Sequence, residues 1–410
     1  MFVDLKERPM DVFVARQPIF DQKQSVFAYE LLFRCNDAQN FFTAIDGDQA
    51  TSSVLSNSFH AIGMDNLTDG KLAFVNFTRN LLLLEVPTLF PKDMVAVEIL
   101  ETVEPEEAVV QACKKMKDQG YLIVLDDFIL KEKFRPLIEL TDIVKVDFTL
   151  TQGAERKAIL DKINTTGLRY LAEKVETLEE FQQAVEYGYS YFQGYFFSKP
   201  KIVSGREITG NKLNYLRLLK DIHRPGVKTS ELEETIKKDV SISYKLLNYI
   251  NSAFFSLPQK VRSIQHVLNL LGPIESKKWL TVIALGQIAS DKPPELVVTS
   301  LIRGNFCEML AEKVGLERYS SELFLVGLFS LIDAFFDQPL DEILAHLPIV
   351  EEIKKTLLGE ETKFQNVLQM IVHHEKGDWP VVNLYMKKLG LQAPDVLDIY
   401  LKILPKCSIL

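Results

Sequence analysis

Seven polar residues close successive apolar runs in the first half of the chain: Glu30, Asn76, Glu98, Asp126, Lys145, Glu173 and Gln193. Six of the runs read as buried strands: 72–77 (LAFVNF), 95–99 (VAVEI), 122–128 (LIVLDDF), 143–148 (IVKVDF), 170–175 (YLAEKV) and 191–197 (YFQGYFF). Amphipathic, helix-like segments separate them. From Asn76 onward the polar positions recur about every 20–30 residues, one strand plus one helix apart. The step from Glu30 to Asn76 is longer and has room for an extra unit. This alternation predicts a parallel β/α barrel, which gathers the C-terminal ends of its strands around one mouth. Four acids, two amides and a lysine are costly to desolvate together unless something charged binds among them. A divalent metal holding a phosphate meets that requirement.

The chain has 410 residues, comfortable for two domains. Hydrophobic residues make up 47% and charged residues 25%, as in ordinary globular proteins. The net charge of −9 and the lack of a dense Lys/Arg cluster argue against DNA as a partner. A net acidic protein still accepts a small phosphate ligand when a metal ion inverts the local charge. Cys35, Cys113, Cys307 and Cys407 are scattered with no CxxC pair, so neither a zinc site nor a disulfide framework is indicated. The first ten residues, MFVDLKERPM, have no apolar core and do not read as a signal peptide. The longest apolar stretch, 324–332, is far short of a membrane span. The expectation is a cytoplasmic protein with no membrane insertion.

Near residue 200 the chain changes character. Strand signals stop after Pro200-Lys201, and helical periodicity runs from about Asn211 onward. Ser230 and Glu233 form a capping-box pair, and Ser241 is placed to start the next helix. Pro258, Gly272-Pro273, Pro293-Pro294, Pro339 and Pro348 punctuate the rest. The reading is a β/α barrel at 10–200, a short hinge, and an all-α domain at 205–400.

The motifs now on the page resemble the EAL family of cyclic-di-GMP phosphodiesterases, in family order. Gln17-Pro18-Ile19 is similar to the opening QPI segment, and Glu30-Leu31-Leu32-Phe33-Arg34 to the Glu-Ala-Leu signature followed by Arg. Asn76 stands on the asparagine strand, Glu98 and Glu101 in the Glu-x-Thr-Glu motif, Asp126-Asp127 in the aspartate pair and Lys145 on the lysine strand. Residues 172–177 (AEKVET) resemble Ala-Glu-Gly-Val-Glu-Thr, and Gln193-Gly194-Tyr195 the last strand. The resemblance implies a TIM-like barrel that holds Mg²⁺ or Mn²⁺ through Glu30, Asn76, Glu98, Asp126 and Asp127. It implies Lys145 orienting the attacking water, Glu173 as general base, and support or ligand contacts from Gln17, Arg34, Glu101, Glu176 and Gln193. Cyclic di-GMP is the implied ligand and linear pGpG the product.

Three departures from the pattern bear on turnover. Leu31 replaces the signature alanine, and Leu100 replaces the threonine between the glutamates. The glycine-bearing loop that follows the aspartate pair is replaced by residues 129–134 (ILKEKF). Without glycine the backbone there bends less readily toward a metal or phosphate. Slow hydrolysis is therefore expected, with an inactive c-di-GMP receptor or an interaction scaffold as alternatives.

Residues 205–400 resemble the HDOD family through Asn251-Ser252-Ala253-Phe254-Phe255, Ser263-Ile264 and Leu270-Leu271-Gly272. No histidine is followed by aspartate, so the His-Asp dipeptide of HD hydrolases is missing. His373 and His374 are adjacent, and neighbours on a helix point about 100° apart, which suits structural roles better than one shared ion. The resemblance implies an output module that acts on a signalling partner protein, and it leaves a homodimer open.

Overall fold

The computed structural model describes residues 11–36, 64–126, 132–163, 165–199, 210–224, 226–237, 240–251 and 259–407. The chain forms two compact units, Met1–Phe196 together with Gln369–Leu410, and Phe197–Leu368.

In the first unit eight strands close into a barrel in chain order. They are β1 (Asp11–Asp21), β2 (Val26–Asn36), β3 (Leu72–Phe77), β4 (Val95–Ile99), β5 (Leu122–Leu125), β6 (Ile143–Asp147), β7 (Arg169–Glu173) and β8 (Tyr191–Gln193). Between β2 and β8 lie α1 (Met64–Thr68), α2 (Arg79–Leu83), α3 (Glu107–Asp118), α4 (Arg135–Ile138), α5 (Ala154–Ile163) and α6 (Leu178–Tyr187). From β2 to β8 the neighbours pair in parallel. β1 runs antiparallel to both β2 and β8, which corrects the expectation of an all-parallel barrel. The cause is the short turn after Asp21, whose Oδ1 accepts from Lys23 N (2.8 Å) and Ser25 N (2.9 Å). A turn this tight joins only antiparallel strands.

The interior of the barrel follows from the two-residue period of a strand. Ile19, Ala28, Phe74, Ala96, Val124, Ile143, Leu171 and Tyr191, one from each strand, form a buried layer. Two residues further toward the mouth stand Gln17, Glu30, Asn76, Glu98, Asp126, Lys145, Glu173 and Gln193, on the same inward face. On β1 the step is backward in sequence because that strand runs the other way.

The C-terminal helices differ from their expected place. The end of α16 (Gln365–Glu375), then α17 (Trp379–Leu389) and α18 (Ala393–Cys407), belong to the barrel unit and not to the helical one. Phe13 on β1 stacks on Trp379 with ring centroids 5.5 Å apart. The Arg16 backbone N–H donates to the Tyr400 hydroxyl (3.3 Å). His374 is buried against the rings of Trp379 and Tyr400, while His373 Nδ1 lies 2.9 Å from Asp378 Oδ2. The adjacent histidines thus face different partners, as helical geometry requires.

The second unit is helical: α7 (Gly210–His223), α8 (Thr229–Lys237), α9 (Val240–Ile250), α10 (Ile264–Ile288), α11 (Pro294–Lys313), α12 (Ser320–Phe329), α13 (Ile332–Phe336), α14 (Leu340–His346), α15 (Glu351–Leu357) and the start of α16. Its core includes Leu219, Ile222, Leu232, Ile236, Val267, Leu280, Leu296, Phe306 and Phe329. α8 begins at Thr229, one residue before the expected capping serine, and α10 is broken as expected at Gly272 (φ 74°, ψ 172°) before Pro273 into two helical stretches. Among the described residues no helix is long and apolar enough to cross a membrane.

Candidate functional site

The ring at the barrel mouth is organised around one buried ammonium. Lys145 is fully buried. Its Nζ lies 2.5 Å from Glu98 Oε1, 2.9 Å from Asp126 Oδ1, 3.3 Å from Glu30 Oε2 and 3.5 Å from Glu173 Oε2. The parallel register that sets Asn76 opposite Glu98 brings the amide in, and Asn76 Nδ2 donates to Glu30 Oε1 (3.2 Å). Gln193 Nε2 donates to Glu30 Oε2 (2.6 Å) and to Gln17 Oε1 (2.9 Å). The residues expected at the site from the seven parallel strands β2 to β8 and from β1 therefore meet in one network.

Charge does not balance in this network. Four carboxylates face one ammonium, a formal excess of three negative charges. Burial opposes the ammonium, but the surrounding carboxylates outweigh it and hold the Lys145 pKa well above its ordinary value. At Glu98 burial dominates over the attraction of Lys145. With Glu30 and Asp126 adding repulsion, its carboxyl is pushed well above the usual range. Glu98 Oε2 is buried and accepts no hydrogen bond.

These features fit a divalent cation. The donors are hard carboxylate and amide oxygens of the kind that suit Mg²⁺, Mn²⁺ or Ca²⁺. Among the described residues no three His, Cys, Asp or Glu side chains are already drawn together as a ready-made metal cluster. The Lys145 ammonium stands instead where the carboxylates converge. A cation entering the ring would offset the excess charge and engage the bare Glu98 oxygen.

Other expected residues fall outside the ring. Glu101 and Glu176 are exposed, in the turns after β4 and β7. Arg34 lies on β2, with its side chain outside the described residues, as is Asp127 together with 128–131. The rest of the replaced loop, Glu132–Phe134, is a single short helical turn. Leu31 is buried on the face of β2 opposite Glu30, so its extra bulk does not enter the ring.

Two residues at the mouth escaped the sequence reading. Lys174 stands where the motif has glycine and adopts φ 56°, the left-handed region that costs a non-glycine residue about 1 kcal/mol. Its Nζ lies 2.5 Å from Asp147 Oδ2 and 3.8 Å from Glu173 Oε1. Burial opposes ionisation of Asp147, but hydrogen bonds from Lys174 and Thr149 hold its carboxyl below the usual range. The replaced glycine in AEKVET was the available signal. The second is Gly194, at φ 143°. A Cβ there would lie 2.1 Å from the Val175 carbonyl oxygen. That close approach lets Val175 N donate to Gln193 O (2.9 Å) and Phe196 N to Val175 O (3.1 Å), tying the ends of β7 and β8 together.

Two family models match the chain. The EAL domain family model matches residues 62–200, and the HDOD domain family model matches 213–337. The uncharacterized protein YuxH of Bacillus subtilis is 38% identical over 408 residues, 97% of this chain and 98% of that protein. The cyclic di-GMP phosphodiesterase CdgJ of Vibrio cholerae is 31% identical over 387 residues, 94% of this chain and 89% of that protein. Among solved structures, the Bacillus subtilis YkuI protein, which has an EAL domain and was crystallised with c-di-GMP and calcium, aligns at 20% identity. It covers 64% of this chain and 72% of that one, with a TM-score of 0.36.

Proposed function

The chain belongs to the family of proteins that join an EAL domain to an HDOD domain, and on that premise we propose that its barrel mouth binds cyclic di-GMP with a divalent cation and hydrolyses it slowly to pGpG. The observation that carries the proposal is the charge imbalance around Lys145: four carboxylates from four strands converge on one ammonium in a buried ring. The family relationship supplies the ligand, since CdgJ is named for its action on cyclic di-GMP.

In this reading Glu30, Asn76, Glu98 and Asp126 hold the cation, with Asp127, outside the described residues, beside a second one. Mg²⁺ or Mn²⁺ would neutralise the phosphate oxygens and lower the pKa of the attacking water. Glu173 accepts that proton, and Lys145 orients the water while balancing the carboxylates. Gln17 and Gln193 fix Glu30, and Arg34, Glu101 and Glu176 support the ligand or the ring. Water adds at phosphorus, the bond to the 3′ oxygen breaks, and that oxygen leaves as a hydroxyl once protonated. Lys174 near Glu173 and the loss of loop glycines after Asp126 both favour slow turnover, because a misplacement near 1 Å costs about 100-fold in rate. The HDOD domain acts as the output module toward a signalling partner.

The test is incubation of the purified protein with c-di-GMP and Mn²⁺ or Mg²⁺, with products separated by chromatography. Slow, metal-dependent appearance of pGpG is expected. Tight binding with no product would favour the receptor reading, to which the missing glycines already lend weight. No binding with either metal would leave only a scaffold.

A further inference from the structure

The Glu30 carboxylate is connected to the C-terminal segment by a chain of hydrogen bonds. Glu375 is the last residue of α16, and helix geometry leaves the final four carbonyls of a helix without intrahelical partners. Gln17 Nε2 donates to the Glu375 carbonyl (3.3 Å). Gln17 Oε1 accepts from Gln193 Nε2 (2.9 Å), and the same Gln193 nitrogen donates to Glu30 Oε2 (2.6 Å). The orientation of the Gln17 amide follows from these partners. Turned over, it would set its oxygen against the Glu375 oxygen and its NH₂ against the Gln193 NH₂. The turn that carries Glu375 rests directly on the barrel: a Cβ added at Gly377 (φ +66°) would lie 2.7 Å from Leu32 Cδ1 on β2.

We infer that the turn at the end of α16 is a positioning element for the metal site. It sets Gln17 through the Glu375 carbonyl, Gln17 sets Gln193, and the two amides together fix the Glu30 carboxylate. The inference rests on the reading of Glu30 as a ligand. It assigns to the C-terminal segment a part in the site that an EAL barrel ending near residue 200 would lack. Partners of a ligand typically change metal affinity by about 10–100-fold when removed.

The test is Gly377→Ala, a wedge against Leu32 that touches no proposed ligand, in the full-length protein. Two readouts are taken: Mn²⁺ affinity by calorimetry, and the side-chain amide signals of Gln17 and Gln193 by NMR without metal. The wedge should move both amide signals and weaken Mn²⁺ binding about 10-fold. Adding Leu32→Ala should recover part of the loss, because only the Leu32 Cβ, at 3.6 Å, would then face the new methyl. Gln17→Glu, isosteric but lacking the donor to Glu375, should weaken Mn²⁺ binding without the wedge, which covers the case where Gly377→Ala fails to fold. Unmoved amide signals in the wedge variant, or Mn²⁺ affinity within about 2-fold of wild type in both variants, would overturn the relay. Wild-type protein that binds no Mn²⁺ would instead contradict the metal reading, and the amide signals would still decide the relay.

Discussion

Lys145 in the barrel unit and Arg303 in the helical unit are both buried cations, and they are held in opposite ways. In the barrel, Lys145 is surrounded by four carboxylates, so negative charge is in excess. In the helical unit, Arg303 is nearly as buried, but Nη1 donates to the Ser330 hydroxyl (3.0 Å), which itself donates to the Gly327 carbonyl (2.7 Å). The carboxyl of Asp333 also feels the Arg303 charge, and burial pushes its pKa up. A cation tied into a chain of neutral hydrogen-bonding groups reads as structural. One outnumbered by carboxylates marks a place where more positive charge is wanted. The same contrast separates the polar patterns. In the barrel the polar residues repeat at one level of every strand, whereas the buried Thr281, Ser300 and Arg303 of the helical unit follow no such period.

The largest expected effect breaks this contrast directly. Lys145→Met removes the counter-charge at the centre of the ring, leaving the buried Glu30 and Glu98 carboxylates unpaired, and removing one partner of a buried ion pair costs about 3–5 kcal/mol. Mn²⁺ should restore part of that stability by linkage. Arg303→Met should also destabilise, but by the same amount with or without Mn²⁺. Denaturant unfolding of both variants at two Mn²⁺ concentrations decides it, and equal metal response would erase the distinction between the two cations.

Gly194→Ala comes next. Its Cβ would overlap the Val175 carbonyl, so β7 and β8 must separate at the mouth. A loss of about 3 kcal/mol is expected, in the range for overpacking of a close contact. Because the damage lies beside Glu173 and Gln193, ligand binding should fall further than stability alone explains. Thermal unfolding paired with c-di-GMP titration separates the two effects.

Much of the barrel was legible in the sequence, and the reasons are physical. β3 and β4 coincide with their apolar runs, and Asp126, Glu173 and Gln193 lie at or one past the ends of β5, β7 and β8, whereas Lys145 lies two residues before the end of β6. A buried strand must be apolar until the point where it meets the mouth. β1 was not legible as a strand, because Pro18 lacks an N–H and argues against a central strand. The place of 369–407 was also hidden: amphipathic helices announce that they bury a face but not against what. Leu31 looked intrusive only because sequence does not display which face of β2 it occupies.

Acid sensitivity offers a smaller test with one histidine in each unit. Burial, with Lys277 adding repulsion, pushes the His223 imidazole down to about 4, and burial alone pushes His374 down to about 3. Both are neutral in the folded protein and take up a proton more readily when unfolded. Their contribution to stability is therefore intact above about pH 6.5 and is lost progressively as pH falls toward 4, by up to about 1.4 kcal/mol per pH unit for each. His223→Asn should flatten the acid loss of the helical unit and His374→Asn that of the barrel unit. Unfolding measured at pH 7 and pH 5 by hydrogen exchange, which resolves the units, reads this out. Identical acid slopes in wild type and variants would refute it.

The smallest effect is at Lys174. Replacement by glycine relieves the left-handed backbone, a gain of about 1 kcal/mol, and removes the ion pair with Asp147. Stability should change by less than about 1 kcal/mol because the two effects oppose. The rate of c-di-GMP hydrolysis should rise if Lys174 restrains Glu173, which a product assay at saturating ligand would detect.

The central claim is that the ring around Lys145 is a divalent-cation site for a cyclic dinucleotide. Calorimetric titration of Mn²⁺, then of c-di-GMP in its presence, into wild type and Asp126→Ala tests it most directly. The account predicts saturable binding of both by the wild type and loss of Mn²⁺ binding in the variant. Mn²⁺ binding by Asp126→Ala equal to that of the wild type would contradict it.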